Sequence, residues 1–494
     1  MNGTLILLII IIYFGVLLLI SHIIGKKHSE NNAFFLGNRK SPWYIVAIGM
    51  IGSSLSGVTF VSVPGMVRNF DMTYMQMVLG FLLGYAVIAF VLLPLYYRMN
   101  LTSIYTYLEN RIGKRAYKTG ASFFLLSRTI GAAARLFVAV LILQTYIFDA
   151  WNIPFGLTAA GVLIMIWLYT YKSGVRAIVW TDLLQSFFLI LALCIIIWQV
   201  GKGLNLDLSG MISSVTDSPH SRIFVFDDWH TKQNFFKQFI SGAFVTIAMT
   251  GIDQEMMQKN LSCKNLKEAQ KNVCTYSLFF IPVNFLFLSL GVLLLNYAAI
   301  NHITLPALGD DILPMLVTSG YFGILPIVFF IIGIIAVTFA SADSALTGLT
   351  TSVCVDMIGI SKYKEKDAKK IRIAVHLGIS LLFIAIMLLF KAINNTSVID
   401  AIYTIASYTY GPLLGLFAFG ILFKRKTKDT LVPYICILSP ILCFGINQLL
   451  KRTINYEFGY ELLIINALFV VIGLLIFSKG KSTGNYNNSN SSEG

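Results

Sequence analysis

The chain has 494 residues, of which 56% are hydrophobic and only 12% are charged, and its mean hydropathy is +0.76. This composition is typical of a polytopic membrane protein and excludes a soluble enzyme with a single anchor. The net charge of +14 does not indicate nucleic-acid binding, because the basic residues lie in short connections between apolar runs, where they orient the spans.

Runs of membrane length occur in thirteen places. In chain order they lie near residues 5–24, 43–67, 72–97, 120–148, 153–171, 177–200, 233–257, 274–300, 321–358, 371–393, 398–423, 431–450 and 457–478. The first run has no basic leader and no obvious cleavage site, so we interpret it as a retained span. Residues 479–494 are polar and are predicted to be a disordered cytoplasmic tail.

Basic clusters fall in alternate connections between these runs. They lie at 98–118, 172–176, 259–271, 361–372 and 424–428, whereas the intervening connections are short or, like 205–231, mixed and acidic. The positive-inside rule therefore predicts a multi-pass protein of the inner (plasma) membrane with its N-terminus outside and its C-terminus in the cytoplasm.

Two of the runs do not look like continuous helices. Residues 51–65, IGSSLSGVTFVSVPG, bring glycine, serine and proline to membrane depth, and the run at 233–257 has the same character around Gly251 and Asp253. Unwound backbone is tolerated there only where it lines a cavity or is buried in protein. Counted from the second run, the two are first and sixth, as an inverted-repeat transporter predicts. The alternative is a small-residue face for helix packing.

A carboxylate lies inside the apolar run at 321–358. Helical spacing puts Asp343, Ser344 and Thr347 on one face, with Ser341 just beside them. Oxygen ligands of this kind suit a hard cation such as sodium. The alternative is that the hydroxyls bond to carbonyls of their own helix.

Other charges also lie at membrane depth. Asp182 lies about six residues into its span. It either faces a water-filled path through the protein or forms an ion pair with Arg176 near the membrane interface. Arg128 and Arg135 lie seven residues apart on one face of their helix. For them, a structural ion pair and contact with a solute are both open.

No motif for catalysis or for nucleotide-driven pumping occurs. The sequence contains no GxxxxGK[ST], HExxH or GxSxG pattern, and its six cysteines are scattered singly. We therefore expect a protein that is not an enzyme and whose transport, if it is a transporter, is driven by an ion gradient.

Three blocks of the sequence resemble the sodium:solute symporter family. They are SSLSGVTFVSVPG, DQEMMQKNLSCKNLKEAQKN at 253–272, and FASADSAL with a downstream Asp356. The resemblance covers nearly all of residues 1–478 and implies an all-α LeuT-type 5+5 inverted repeat. The ten-helix core would span 43–423, preceded by one span within 1–42 and followed by two peripheral spans at 424–478.

The resemblance also implies one or two coupling sodium ions, at a common site and at a second site that some members have. The common site would use the backbone carbonyls of Gly52, Leu55 and Val337 and the hydroxyl of Ser341, although Ala340 lacks a hydroxyl that the family has. The second site resembles the group Asp182, Asp343 and Ser344, where two carboxylates replace the more usual one. They would bind a second cation, or share a proton when it is absent.

Solute-binding positions follow from the same resemblance. The arginine that binds a sialic acid carboxylate in the family falls on Ala132, with Arg128 and Arg135 a turn away on either side, and we keep Arg135 as a candidate. The other candidates are Ser54, Ser56, Thr59, Asp253 and Tyr403.

The functional hypothesis is a monomeric, sodium-coupled secondary symporter that imports a small polar organic solute by alternating access. The solute could be a sugar, a sialic acid, an amino acid or a carboxylate. The alternatives are sodium-independent or proton-coupled transport, or a transporter-like sensor or channel. A sensor would need an appended signalling domain, and a channel would need a continuous polar path.

Overall fold

The computed structural model describes residues 3–25, 31–171, 174–393, 398–454, 456 and 458–481. Over these ranges the chain is mostly helical, and seven helices are long and apolar enough to cross a bilayer. They are Tyr74–Arg98, Lys114–Leu143, Val175–Gly203, Leu266–Ile300, Ile324–Ile358, Glu365–Ile393 and Asp429–Ile454. The prediction of a helical, polytopic membrane protein is confirmed.

Two bent pairs of helices lie at the two predicted interruptions, and we call each pair a broken span. The first broken span consists of Trp43–Ser54 and Gly57–Phe70, which meet at an angle of 62°. The second broken span consists of Phe235–Gly251 and Gln254–Leu261, which meet at 68°. The small residues in these runs therefore mark real interruptions of the helix.

Four shorter apolar helices coincide with the remaining predicted spans. They are Leu8–Ile24, Phe155–Thr170, Ala406–Leu422 and Leu462–Ile476. The whole helices around the first and third extend over Gly3–Gly25 and Val398–Leu422. Because the apolar segments fall short of the roughly 20 residues that cross a bilayer, the count of thirteen spans stays a prediction.

The connections contain smaller elements. Short helices occupy Asn31–Leu36, Thr106–Arg111, Leu208–Thr216 and Ile312–Thr318. Strands Arg425–Thr427 and Ser478–Lys481 pair antiparallel. Residues 479–481, which the sequence analysis placed in the predicted disordered tail, thus belong to this ribbon. The rest of the tail lies outside the described residues.

Close approach of three helices forms the centre of the protein. The helix Val175–Gly203 packs against Trp43–Ser54 on one side and against Ile324–Ser352 on another. A Cβ atom at Gly52 would lie 2.5 Å from Ser186 Oγ, and one at Gly49 would lie 2.9 Å from Asp182 Cβ. Glycine at these two positions thus brings Asp182 against the first broken span.

Candidate functional site

The break in the first span is stabilised by a capping box. Ser56 is the N-cap of Gly57–Phe70, and its Oγ accepts from the Thr59 N–H (3.3 Å). In return, the Ser56 N–H donates to Thr59 Oγ1 (3.2 Å). In a continuous helix these N–H groups would bond to the carbonyls four residues earlier, those of Gly52 and Leu55. The capping box therefore releases the two carbonyls that the sequence analysis assigns to sodium.

The break in the second span is organised by Asp253. Its Oδ1 caps the helix Gln254–Leu261 by accepting from the N–H groups of Glu255 (2.9 Å) and Met256 (3.3 Å). Its Oδ2 accepts from the Tyr410 hydroxyl (2.6 Å). Asp253 is fully buried, and it is not among the described residues that line the open cavity between the two broken spans, which is described below. Its oxygens serve the backbone and Tyr410, which differs from the solute contact expected from the sequence.

Arg128 forms a buried ion-pair cluster behind the second break. Its Nε donates to Glu255 Oε2 and lies 3.9 Å from Asp253 Oδ2. All three side chains are at most 2% exposed. Of the two roles left open for this arginine, the structure supports the structural ion pair.

An open cavity lies between the two broken spans, and we call it the central cavity. Its lining surrounds about 950 Å³ of space that is not filled by protein atoms, part of which is open solvent. Ser54, Leu55, Ser56 and Thr59 of the first break form one part of its wall, and Arg135 forms another. Its other described lining residues are Val58, Tyr74, Met77, Phe81, Tyr85, Arg128, Val245, Thr246, Met249, Thr250, Met256, Phe280 and Ala406.

The polar wall of the cavity is held by a chain of hydroxyl groups. Tyr276 donates to Ser54 Oγ (2.5 Å) and shares a hydrogen bond of 2.7 Å with Tyr85. The predicted solute positions Ser54, Ser56, Thr59 and Arg135 thus meet in one cavity. The side chain of the remaining candidate, Tyr403, lies outside the described residues.

The predicted sodium ligands of the helix Ile324–Ser352 lie deep in the protein. Val337 and Ala340 are fully buried, whereas Ser341 is half-buried and its Oγ donates to the Thr338 carbonyl (3.2 Å). Asp343 is fully buried, and its Oδ2 accepts from the Tyr169 hydroxyl (2.7 Å).

A lysine that the sequence analysis assigned to a basic connection lies among the oxygens of the predicted second sodium site. Lys259 is 1% exposed. Its Nζ donates to Ser344 Oγ (2.5 Å), Asp182 Oδ2 (2.6 Å) and Ser53 Oγ (2.6 Å). We call Lys259 and these three partners the ammonium site. The predicted cytoplasmic cluster at 259–271 therefore begins after this residue.

Sequence comparisons relate the chain to one family of transporters. A profile of the sodium:solute symporter family matches residues 34–430. The sodium/sialic acid symporter of Proteus mirabilis is 24% identical over 451 residues, or 86% of each chain. The human sodium/iodide cotransporter is 24% identical over 80% of this chain and 61% of its own. Sodium-coupled monocarboxylate transporter 1 of the mouse is 25% identical over 83% and 68%, respectively.

Solved structures confirm the predicted fold. A structure of the substrate-bound, outward-open state of a Na+-coupled sialic acid symporter has a TM-score of 0.82 at 20% identity, covering 96% of this chain and 98% of that one. A nucleobase-cation-symport-1 family transporter in a closed conformation has a TM-score of 0.56 at 10% identity, covering 90% and 93%. The LeuT-type fold therefore extends over almost the whole chain.

Proposed function

Because the chain belongs to the sodium:solute symporter family, and is thus a sodium-coupled transporter and not an enzyme, we propose that its solute is a small organic anion of the carboxylate class. The observation that carries this proposal is Arg135 in the wall of the central cavity. A planar guanidinium binds a carboxylate through two parallel hydrogen bonds. The hydroxyls of Ser54, Ser56 and Thr59 would bind the polar groups on the rest of the solute.

The charge of the cavity wall supports an anion over a neutral solute. Among its described lining residues the charged ones are Arg128 and Arg135, and none is a carboxylate. Glu255 and Asp253 balance Arg128 from behind the wall. Arg135 adds a further guanidinium to the wall, which favours entry of a negative solute.

Known relatives carry solutes of the same sign. The similar proteins named above are transporters of sialic acid, iodide and monocarboxylates. Iodide is an anion, and the other two solutes carry carboxyl groups. These relatives favour an organic anion for this chain, since the wall here also contains hydroxyl groups that an inorganic ion does not need.

Sodium is proposed to bind at the first break. Its ligands would be the carbonyls of Gly52, Leu55 and Val337 and the hydroxyl of Ser341, with a water in the place of the hydroxyl that Ala340 lacks. The capping box has already freed two of these carbonyls. Since the break also lines the cavity, bound sodium would stabilise the backbone conformation that binds the solute. Sodium binding and solute binding would thus be coupled.

Orientation and assembly complete the proposal. The protein would lie in the inner (plasma) membrane with its N-terminus outside and its C-terminus in the cytoplasm, as the alternate basic connections predict. It would function as a monomer, because both broken spans and the cavity between them are built by one chain.

The test is uptake by proteoliposomes that contain the purified protein, with an inward sodium gradient and with potassium in its place. The panel pairs sialic acid with a neutral hexose, and a short monocarboxylate with its amide. We expect sodium-dependent uptake of an anionic member of a pair. Equal uptake of the neutral partner would contradict an anionic solute, and uptake without sodium would contradict coupling.

A substitution ties the result to the proposed residue. Arg135→Gln should raise the solute concentration for half-maximal uptake about 10- to 100-fold, since a hydrogen bond to a charged group contributes about 1.5–3 kcal/mol. Arg135→Lys keeps the charge but loses the planar guanidinium. Its solute concentration for half-maximal uptake should lie between those of the unmodified protein and Arg135→Gln. An Arg135→Gln protein with unchanged solute affinity would remove this residue from the site.

A further inference from the structure

We propose that the ammonium group of Lys259 takes the place of the second sodium ion, so that this transporter couples solute uptake to one sodium ion. The inference rests on the sodium coupling described above. It concerns the group Asp182, Asp343 and Ser344, for which the family resemblance implies a cation site. The chain supplies that cation as part of its own second broken span.

The geometry of the ammonium site is that of a filled cation site. A lysine ammonium has three donors and no acceptor. Lys259 uses all three, on oxygens of Ser53, Asp182 and Ser344, at distances of 2.5–2.6 Å. These oxygens belong to the first broken span, to Val175–Gly203 and to Ile324–Ser352. One cation on the second broken span therefore joins the three elements that build the predicted sodium sites.

Both oxygens of the second carboxylate, Asp343, accept hydrogen bonds from neighbouring hydroxyl groups. Ser344 accepts from Lys259 and donates its own hydrogen to Asp343 Oδ1 (3.0 Å). Tyr169 donates to the other oxygen of Asp343 (2.7 Å). The ammonium thus acts directly on Asp182 and, through the Ser344 hydroxyl, on Asp343.

A sodium ion cannot share this position with the ammonium. Both are single positive charges that need the same serine and aspartate oxygens, and burial strengthens their repulsion. The lysine side chain is part of the polypeptide, so it does not dissociate into solution as a bound ion does. Sodium competes for the site only in a protein from which this charge has been removed.

The first measurement uses the unmodified protein. Purified transporter is titrated with radioactive 22Na+ at saturating concentration of the solute found in the uptake assay, and uptake is followed against sodium concentration. We expect one sodium ion bound per chain and a Hill coefficient near one. Two bound ions with a coefficient near two would overturn the inference and leave the proposed function intact. Sodium-independent uptake would overturn both.

The second measurement removes the charge. Lys259→Met keeps an unbranched side chain of similar length but leaves Asp182 and Asp343 without a cation. We expect the number of bound sodium ions to rise from one to two, and the Hill coefficient to rise from near one towards two. Replacing Asp182 as well, in Lys259→Met/Asp182→Asn, should return both values to one.

The matched control is Lys264→Met, which removes an exposed lysine five residues further along the chain. It should leave sodium binding as in the unmodified protein. A folded Lys259→Met protein that still binds one sodium ion would assign the lysine a purely structural role and overturn the inference. Should this variant fail to fold, the count of ions in the unmodified protein decides alone.

Discussion

Ser341 supplies the one side-chain oxygen of the proposed common sodium site, because Ala340 beside it has none. Removing that oxygen in Ser341→Ala should raise the sodium concentration for half-maximal uptake several-fold, with a smaller effect on solute affinity at saturating sodium. Sodium-dependent uptake at a series of fixed solute concentrations separates the two effects.

The neighbouring position provides the reverse experiment. Ala340→Ser adds the missing hydroxyl at a buried position and should lower the sodium concentration required. If neither substitution changes the sodium dependence, this part of the helix Ile324–Ser352 is not in the site.

The charge of Arg128 is used inside the protein, in its ion pairs with Glu255 and Asp253. In Arg128→Gln, Glu255 and Asp253 would be left buried without their cation. Breaking a buried pair by removing one partner costs about 3–5 kcal/mol, so we expect a marked loss of thermal stability in detergent. Arg128→Gln/Glu255→Gln, which removes both members of the shorter pair, should recover much of it. A single variant as stable as the unmodified protein would contradict the structural role.

At the scale of the element, the interruptions of the two broken spans were predictable from the sequence. The backbone groups that these interruptions expose were only partly predictable. Glycine, serine and proline at membrane depth indicate an interruption. The release of the Gly52 and Leu55 carbonyls depends on the reciprocal bonds of Ser56 and Thr59, which are a matter of local backbone geometry. Only the resemblance to a family, and not composition, pointed to these two carbonyls as sodium ligands, and that assignment stays a proposal.

The burial of Lys259 was not predicted from the sequence, and the reason is physical. The helix that follows the second break, Gln254–Leu261, is polar in composition yet buried along its whole length. Hydropathy therefore ends the span near residue 257 and assigns the lysine to the following basic connection. The available signal was electrostatic, because buried carboxylates such as Asp182 require a cationic partner at the same depth.

Packing between elements gives a further prediction at Gly52. An added Cβ would lie 2.5 Å from Ser186 Oγ and 3.2 Å from its Cα, so Gly52→Ala should push Trp43–Ser54 away from Val175–Gly203. We expect uptake to fall at least several-fold. The control is Gly161→Ala, where the added methyl group meets nothing within 4 Å and transport should be unchanged. Equal effects of the two substitutions would contradict the proposed close contact.

At the scale of the whole molecule, orientation depends on charges that lie outside the membrane. These residues were accessible to sequence reasoning, since the positive-inside rule reads only the connections. The structure adds that Asp217, Ser361 and Lys426 are all exposed. Each can therefore report on the side of the membrane that it faces.

Single cysteines at these positions test the proposed orientation. In a background without the exposed Cys194 and the half-buried Cys274, Asp217→Cys should react with an impermeant thiol reagent added outside sealed cells. Ser361→Cys and Lys426→Cys should react only after the membrane is permeabilised, because they lie in basic connections predicted to be cytoplasmic. Since all three side chains are exposed, a failure to react reports the side of the membrane and not burial. Labelling of Ser361→Cys from outside would contradict the proposed orientation.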